Sequence, residues 1–317
     1  MPNDKEKTPT IDVSFARAAR VLPKQHGSVK FYLVGAGGTG SFAVHAVARL
    51  AYELNLRGKP SELVIVDPDR VERSNIPRSN FCQAEIGRFK AQTLAERLTL
   101  AWGLEVAHVN ELFDYDEHLK KDRGEHRQIR ILVGCVDNPQ ARREISRALR
   151  ESEKYNSDAP DTWWVDGGNG KSSGQVLIGS AMRETSVKKY FSTPSICRAL
   201  PAPSLIHPEL LEKQKLPVQR REAEEASCPE MVRLGEQSLN INQRVAVEIG
   251  EMLTELLLNN SLRRFATYFD LESGTSRSRY CTPETVAEAL KEAGDNKQKS
   301  KRAGKTSGIR KQTVRAG

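Results

Sequence analysis

Residues 35–41 read Gly-Ala-Gly-Gly-Thr-Gly-Ser, directly after the apolar run Val29 to Val34. Gly35, Gly37 and Gly40 fall on the spacing G-x-G-x-x-G, and Gly38 adds a further small residue. Between a strand and a helix, such a turn lets backbone N–H groups and the helix N-terminus approach a phosphate. A second apolar run, Leu63 to Val66, ends at Asp67, 27 residues after Gly40, where a carboxylate accepts hydrogen bonds from ribose hydroxyls. These features alone ask for a nucleotide, and NAD or FAD would satisfy them. A purely structural glycine turn is the bland alternative.

Just beyond that carboxylate come Asp69, Asn75 and Arg78, and then Lys90 in Ile-Gly-Arg-Phe-Lys. A dinucleotide enzyme has no need for an amide and two cations converging there. A nucleoside triphosphate does, because about four negative charges must be held while one P–O bond breaks. Each charge-assisted hydrogen bond contributes roughly 1.5–3 kcal/mol, so the three side chains together can supply several at a reacting phosphate. Taken singly, Arg78 or Lys90 reads equally well as a surface charge.

The succession G-x-G-G-x-G-S, V-D-x-D-x-V-E-x-S-N-x-x-R and I-G-x-x-K-A resembles the ThiF/MoeB and ubiquitin-activating-enzyme superfamily, over about residues 28 to 180. The resemblance is closest to the PRTRC-system ThiF family of bacterial ubiquitin-like activating enzymes. That branch rests on Trp164-Val165-Asp166-Gly167-Gly168-Asn169-Gly170, Leu200-Pro201, Ser227-Cys228-Pro229 and Asn240-Ile241-Asn242. The resemblance implies ATP and Mg2+ as cofactors, with Gly35, Gly37, Gly38, Gly40, Asp67 and Asp69 around the nucleotide. Asp67 would hold the ribose, and Asn75, Arg78 and Lys90 the phosphates. Asp137, in Gly134-Cys135-Val136-Asp137-Asn138, would bind magnesium with Asn138 beside it. Its alternative role is to cap the helix that Pro139 opens, and the two are compatible.

The same resemblance implies adenylation of the C-terminal glycine of a ubiquitin-like β-grasp partner, with a conjugating enzyme as a further partner. It also implies a homodimer in which Arg17 or Arg20, on an expected helix from Ser14 to Val21, serves the neighbouring subunit; exposed helix charge is the rival reading. The sequence departs from the family pattern where Ser79 replaces the usual Gln, and the zinc-binding cysteine pairs of the molybdopterin and thiamine activators are missing. The competing functions are an NAD- or FAD-dependent oxidoreductase and a non-catalytic nucleotide-binding scaffold.

A thioester-forming branch needs a reachable thiol. Cys228 follows Ser227 and precedes Pro229 and Glu230, a capping-box spacing whose helix N-terminus would favour the thiolate, although Glu222, Glu224 and Glu225 oppose it. Cys197, next to Arg198, is the rival, and no catalytic thiol at all is the third reading. Cys135 is expected in the core, and Cys82 and Cys281 to be structural. Five scattered cysteines without a C-x-x-C pair argue against a disulfide framework.

Short apolar runs alternating with helical periodicity predict an α/β fold, a Rossmann-like doubly wound, mostly parallel sheet with an antiparallel extension. Expected strands are 29–34, 63–66, 104–109, 129–136, 163–166, 175–178, 264–271 and 276–281. Helices are expected at 38–54, 86–102 and 231–258, after Asn138 and after Pro283. Gly167 to Gly170 is expected as a turn. The domain reading is an N-terminal helical arm (1–27), an adenylation domain (28–293) with a crossover loop at about 192–230, and a disordered tail (294–317). Eight Lys/Arg against Asp295 in that tail carry +7 of the formal +8, so the rest is nearly neutral. The tail could touch nucleic acid non-specifically. No apolar run reaches the roughly 18–20 residues of a membrane span, and the N-terminus has no apolar signal core, so a cytoplasmic protein is expected.

Overall fold

The computed structural model describes residues 13–122, 127–155, 160–183, 190–191, 193–212 and 238–296. In chain order these form α1 (Ser14–Arg17), β1 (Arg20–Val21), β2 (Ser28–Val34), α2 (Gly38–Leu56), β3 (Ser61–Val66), α3 (Lys90–Trp102) and β4 (Val106–Val109). There follow β5 (Gln128–Gly134), α4 (Pro139–Tyr155), β6 (Thr162–Asn169), β7 (Ser173–Gly179), β8 (Ile196–Cys197) and α5 (Pro203–Ile206). The chain closes with α6 (Ile241–Thr254), β9 (Arg264–Asp270), β10 (Thr275–Tyr280) and α7 (283–296).

The period of two in the strands determines the layering. In β2, Val29, Phe31 and Leu33 enter one core cluster while Tyr32 and Val34 enter another, and β5 divides Ile129, Ile131 and Val133 from Leu132 in the same way. Strands buried on both faces need helices on both, the solution of a parallel sheet with crossovers. The first cluster takes α2, α3 and α6. The second takes α4 through Ala141, Ile145, Ala148 and Leu149. Each Val, Leu or Ile so buried contributes roughly 1.5–3 kcal/mol.

The eight-stranded sheet runs β10-β9-β7-β6-β5-β2-β3-β4. From β4 to β6 the pairs are parallel, and β7, β9 and β10 extend it antiparallel. Counting only the parallel strands, the order is 3-2-1-4-5, with the reversal between β2 and β5. That reversal opens a crevice at the carboxyl ends of those two strands. A second, two-stranded sheet pairs β1 with β8.

Several boundaries differ from the sequence reading. The expected N-terminal helix is one turn, because Arg20 and Val21 pair with Ile196 and Cys197 as extended chain, and Ala19 N–H bonds the Cys281 carbonyl at 2.8 Å. From residue 18 the expected arm is therefore built into the body. Gly167, Gly168 and Asn169 lie inside β6 and not in a turn, paired with Val176, Gln175 and Gly174. Residues 193–212 are only partly loop: they contain β8, α5 and a 3-10 turn at Pro208–Leu211. Pro203 and Pro208 each open a short helix, and elements this short carry no readable periodicity. The expected helix at 86 starts at Lys90, since residues 83–85 form a 3-10 turn. In the expected 231–258 helix, α6 begins at Ile241 and passes into a π-turn at Glu255–Asn259, while residues 231–237 lie outside the described ones. The last helix reaches residue 296, past the expected tail boundary. The basic residues from Lys297 onward, and Cys228 with its capping box, lie outside the described residues.

Candidate functional site

The crevice starts with the glycine turn. β2 ends at Val34 and the chain reverses at Gly35, whose φ of +89° an L side chain rarely adopts. A Cβ there would stand 2.7 Å from the Cys135 carbonyl oxygen, and one on Gly40 would stand 1.9 Å from the Gly35 oxygen. The turn thus lies flat against the end of β5. Gly37 precedes α2, so the unbonded N–H groups of this 19-residue helix's first turn face the crevice with its positive dipole end.

Asp67 closes one side. Its Oδ2 accepts the Ala36 N–H at 2.6 Å and its Oδ1 accepts the Asp69 N–H at 2.8 Å, which ties the glycine turn to the end of β3. Each carboxylate oxygen keeps a lone pair for a ribose hydroxyl. Burial pushes the Asp67 carboxyl above its ordinary value, opposed by the Lys90 charge and the two N–H bonds.

The segment from Arg70 to Lys90 packs over the same end of the sheet. Lys90 opens α3 and is 7% exposed; its Nζ lies 2.8 Å from Asp69 Oδ2. Asn75, 5% exposed, accepts the Glu72 N–H on Oδ1 at 2.9 Å within a 3-10 turn, which leaves the amide's donor end for other partners. Ser79 is turned inward, its hydroxyl donating to the Asn75 carbonyl at 2.7 Å. The Asn80 N–H donates to Ser41 Oγ at 2.9 Å, holding this turn on the first turn of α2. Between them, Arg78 is half-buried, and its Nε is shut off from solvent without a hydrogen-bond partner.

Across the crevice, Asp137 and Asn138 follow β5 and are exposed. Asn138 caps α4: its Oδ1 accepts the Ala141 N–H at 2.8 Å.

A sequence profile described as the ThiF family matches residues 15–225, about two thirds of the chain. The chain belongs to the ThiF family. Among solved structures, Escherichia coli MccB, determined with AMPCPP and MccA, gives a TM-score of 0.50 at 14% identity, covering 80% of this chain and 63% of that one. PaaA gives 0.47 at 16% identity, covering 80% and 64%. This chain therefore spans less than two thirds of the length of those chains. No curated protein matches it. At such identities the MccB likeness shows the fold, a ThiF-type adenylation fold with a mostly parallel sheet.

Within this ThiF fold the structure brings Gly35, Gly37, Gly38, Gly40, Asp67, Asp69, Asn75, Arg78 and Lys90 to one end of the sheet. Arg17 and Arg20 are exposed. Cys197 is fully buried, its Sγ 2.9 Å from the Ala199 carbonyl, and burial pushes its thiol up to about 12, so it is neither reachable nor ionised. Burial likewise pushes the Cys135 and Cys281 thiols up. Cys135 lies just past the end of β5, where it is partly covered. Cys82, expected to be structural, is exposed.

Two groups escaped the sequence reading. One is the ion pair Arg142–Asp166, Nε to Oδ1 at 2.9 Å, with Asp166 fully buried. The other is the cluster of Thr39, Asn169 and Asn242. Asn242 stands on the stripe Asn242, Val245, Ile249, and a polar side chain on the buried face of a helix is a signal the sequence did contain.

Proposed function

We propose that the chain uses ATP to adenylate the C-terminal carboxylate of a small protein, specifically a ubiquitin-like β-grasp protein ending in glycine. The observation that carries this reading is the buried, partnerless Arg78 Nε on a turn bonded to the start of α2. An unsatisfied buried donor costs roughly 1–3 kcal/mol, and an anion at the glycine turn is the partner that removes that cost. The E. coli MccB structure, which holds AMPCPP, an ATP analogue, supports the choice of nucleotide.

In the proposed reaction the glycine turn and the α2 N-terminus hold phosphate oxygens, and Asp67 accepts from the ribose. The partner's carboxylate attacks the α-phosphorus in line. The acyl–O–P bond forms as the bond to the bridging oxygen breaks, and pyrophosphate leaves with the electron pair. Arg78, Lys90 and the Asn75 NH2 neutralise the charge that builds up, so positioning and electrostatics supply the rate. Lys90 turns from Asp69 to the phosphates. Magnesium, when bound, supplies further charge neutralisation. Asp137 is the residue that would hold it, and one exposed carboxylate completed by phosphate oxygens and waters is a donor set that magnesium accepts.

Two identical subunits are part of the proposal, with Arg17 or Arg20, both exposed, reaching the neighbour's phosphates. So is a later step in which the Cys228 thiolate attacks the acyl carbon of the adenylate, AMP leaves, and the partner passes to a conjugating enzyme, as in the PRTRC-type branch. The decisive experiment is partner-dependent exchange of labelled pyrophosphate into ATP. Exchange that needs partner and magnesium is expected. Tight NAD or FAD binding without exchange would move the chain to the oxidoreductases. A reducing-agent-sensitive conjugate that persists in Cys228→Ala would remove that residue from the scheme.

A further inference from the structure

Asn242 sits where four separate parts of the chain meet. It is the second residue of α6 and is 1% exposed. Its Oδ1 accepts the Thr39 hydroxyl at 3.0 Å and also the Asn169 NH2, while its Nδ2 donates to the Arg78 carbonyl at 3.1 Å. Asn169 Nδ2 in turn lies 3.0 Å from Thr39 Oγ1. The amide presses so closely on the first residue of α2 that a Cβ on Gly38 would stand 2.7 Å from Asn242 Nδ2. One side chain therefore joins the start of the phosphate-facing helix, the end of β6, the start of α6 and the backbone of Arg78.

We propose that Asn242 is a positioning residue for Arg78, fixing the arginine's main chain against α2 so that its guanidinium faces a nucleotide phosphate. This rests on the adenylation reading above. The argument is one of geometry and donor count. The amide oxygen is filled by two donors from the floor of the crevice, which orients the group and leaves Nδ2 aimed at a single acceptor. That acceptor belongs to the one cation of the site whose Nε is buried and unpartnered. Without the Nδ2 bond the Arg78 carbonyl has no tie to α6, and the turn keeps only its ties at Asn80, whose N–H donates to Ser41 Oγ and whose carbonyl accepts from Arg97 of α3 at 2.7 Å. An arginine that must be searched for by rotation binds phosphate less well than one already aimed, because its ordering cost falls on the binding step.

The test is a double-mutant cycle on the full chain, read by calorimetric titration with magnesium-ATP and, separately, with adenosine. Asn242→Asp is isosteric; it still accepts from Thr39 and Asn169 but sets an oxygen against the Arg78 carbonyl. Loss of one charge-assisted contact corresponds to roughly 10- to 100-fold, so ATP affinity should fall by about that factor while adenosine affinity changes less than about twofold. In an Arg78→Ala background the same substitution should cost nothing further. Additive losses, or equal losses for ATP and adenosine, would make Asn242 a packing residue and overturn the proposal. Wild-type ATP affinity in Asn242→Asp would overturn it as well. Should the aspartate variant not fold, Asn242→Ala leaves a small cavity in place of a buried charge, and the same cycle decides. Wild-type ATP affinity in Arg78→Ala alone would overturn the reading of the site itself, a result separable from the others.

Discussion

Two arginines with hidden Nε atoms flank the crevice, Arg142 buried and Arg78 half-buried, and are treated in opposite ways. Arg142, in the first turn of α4, is 8% exposed and grips Asp166 with Nε and Nη2, at 2.9 and 3.3 Å. Its partner lies under the end of β5, 3.2 Å from where a Gly134 side chain would begin. Arg78 has its Nε equally hidden and nothing to bond. The fold pairs the first guanidinium from within and leaves the Nε of the second without a partner among the described residues. A satisfied pair of this kind holds parts of the chain in register, whereas an unsatisfied cation is a cost tolerated where function needs an anion.

That contrast can be broken first at Arg142. Arg142→Met strands a fully buried carboxylate, and about 3–5 kcal/mol of stability should be lost in urea unfolding near neutral pH. Burial already pushes the Asp166 carboxyl up, with Arg142 opposing. A folded-state pKa above the unfolded one means the folded chain binds the proton more readily, so stability rises as pH falls through the folded value. The variant's deficit should therefore shrink on acidification. A deficit that stays constant would show that Asp166 does not carry the charge.

Arg78→Ala should do the reverse: pyrophosphate exchange falls by about 10²–10³-fold, the scale of losing one transition-state donor, while the urea midpoint stays level or rises slightly. A large stability loss there would erase the distinction between the two arginines. Lys90 stands between them, ion-paired but to an exposed Asp69. Lys90→Met should cost at most about 1 kcal/mol of stability, yet slow exchange at least about tenfold. The smallest effect concerns the thiols. Of the four described, Cys82 should label in the native protein, and Cys197 and Cys281 only after unfolding. Labelling Cys82 should leave both arginines' effects unchanged.

The glycine turn, the parallel strands and the residues from Asp67 to Lys90 were legible because each depends on local order. A strand–glycine–helix junction is a property of about ten consecutive residues, and an amphipathic run declares its own period. The segment from 193 to 212 was misread as loop because β8 has two residues and α5 four, too short for any period to register. Gly167 and Gly168 were misread as a turn because glycine in a strand looks the same in sequence as glycine in a turn. Here Val245 and Ile249 of α6 crowd one of them, at 2.9 and 2.7 Å from where a Gly167 side chain would begin. Asp166 and Asn242 carried no visible role for a different reason: their partners lie 24 and 164 residues away along the chain.

From sequence alone came the class of fold, the family and the names of the residues that gather at one end of the sheet, since spacing along a chain limits which groups a single turn can bring together. Tertiary structure alone decided which arginine is ion-paired and which keeps a buried Nε without a partner. It also decided that Cys197 is sealed away and that one asparagine ties four segments at the mouth of α2. Burial and pairing belong to contacts between distant segments, and those exist only once the sheet has closed and the helices have packed against it.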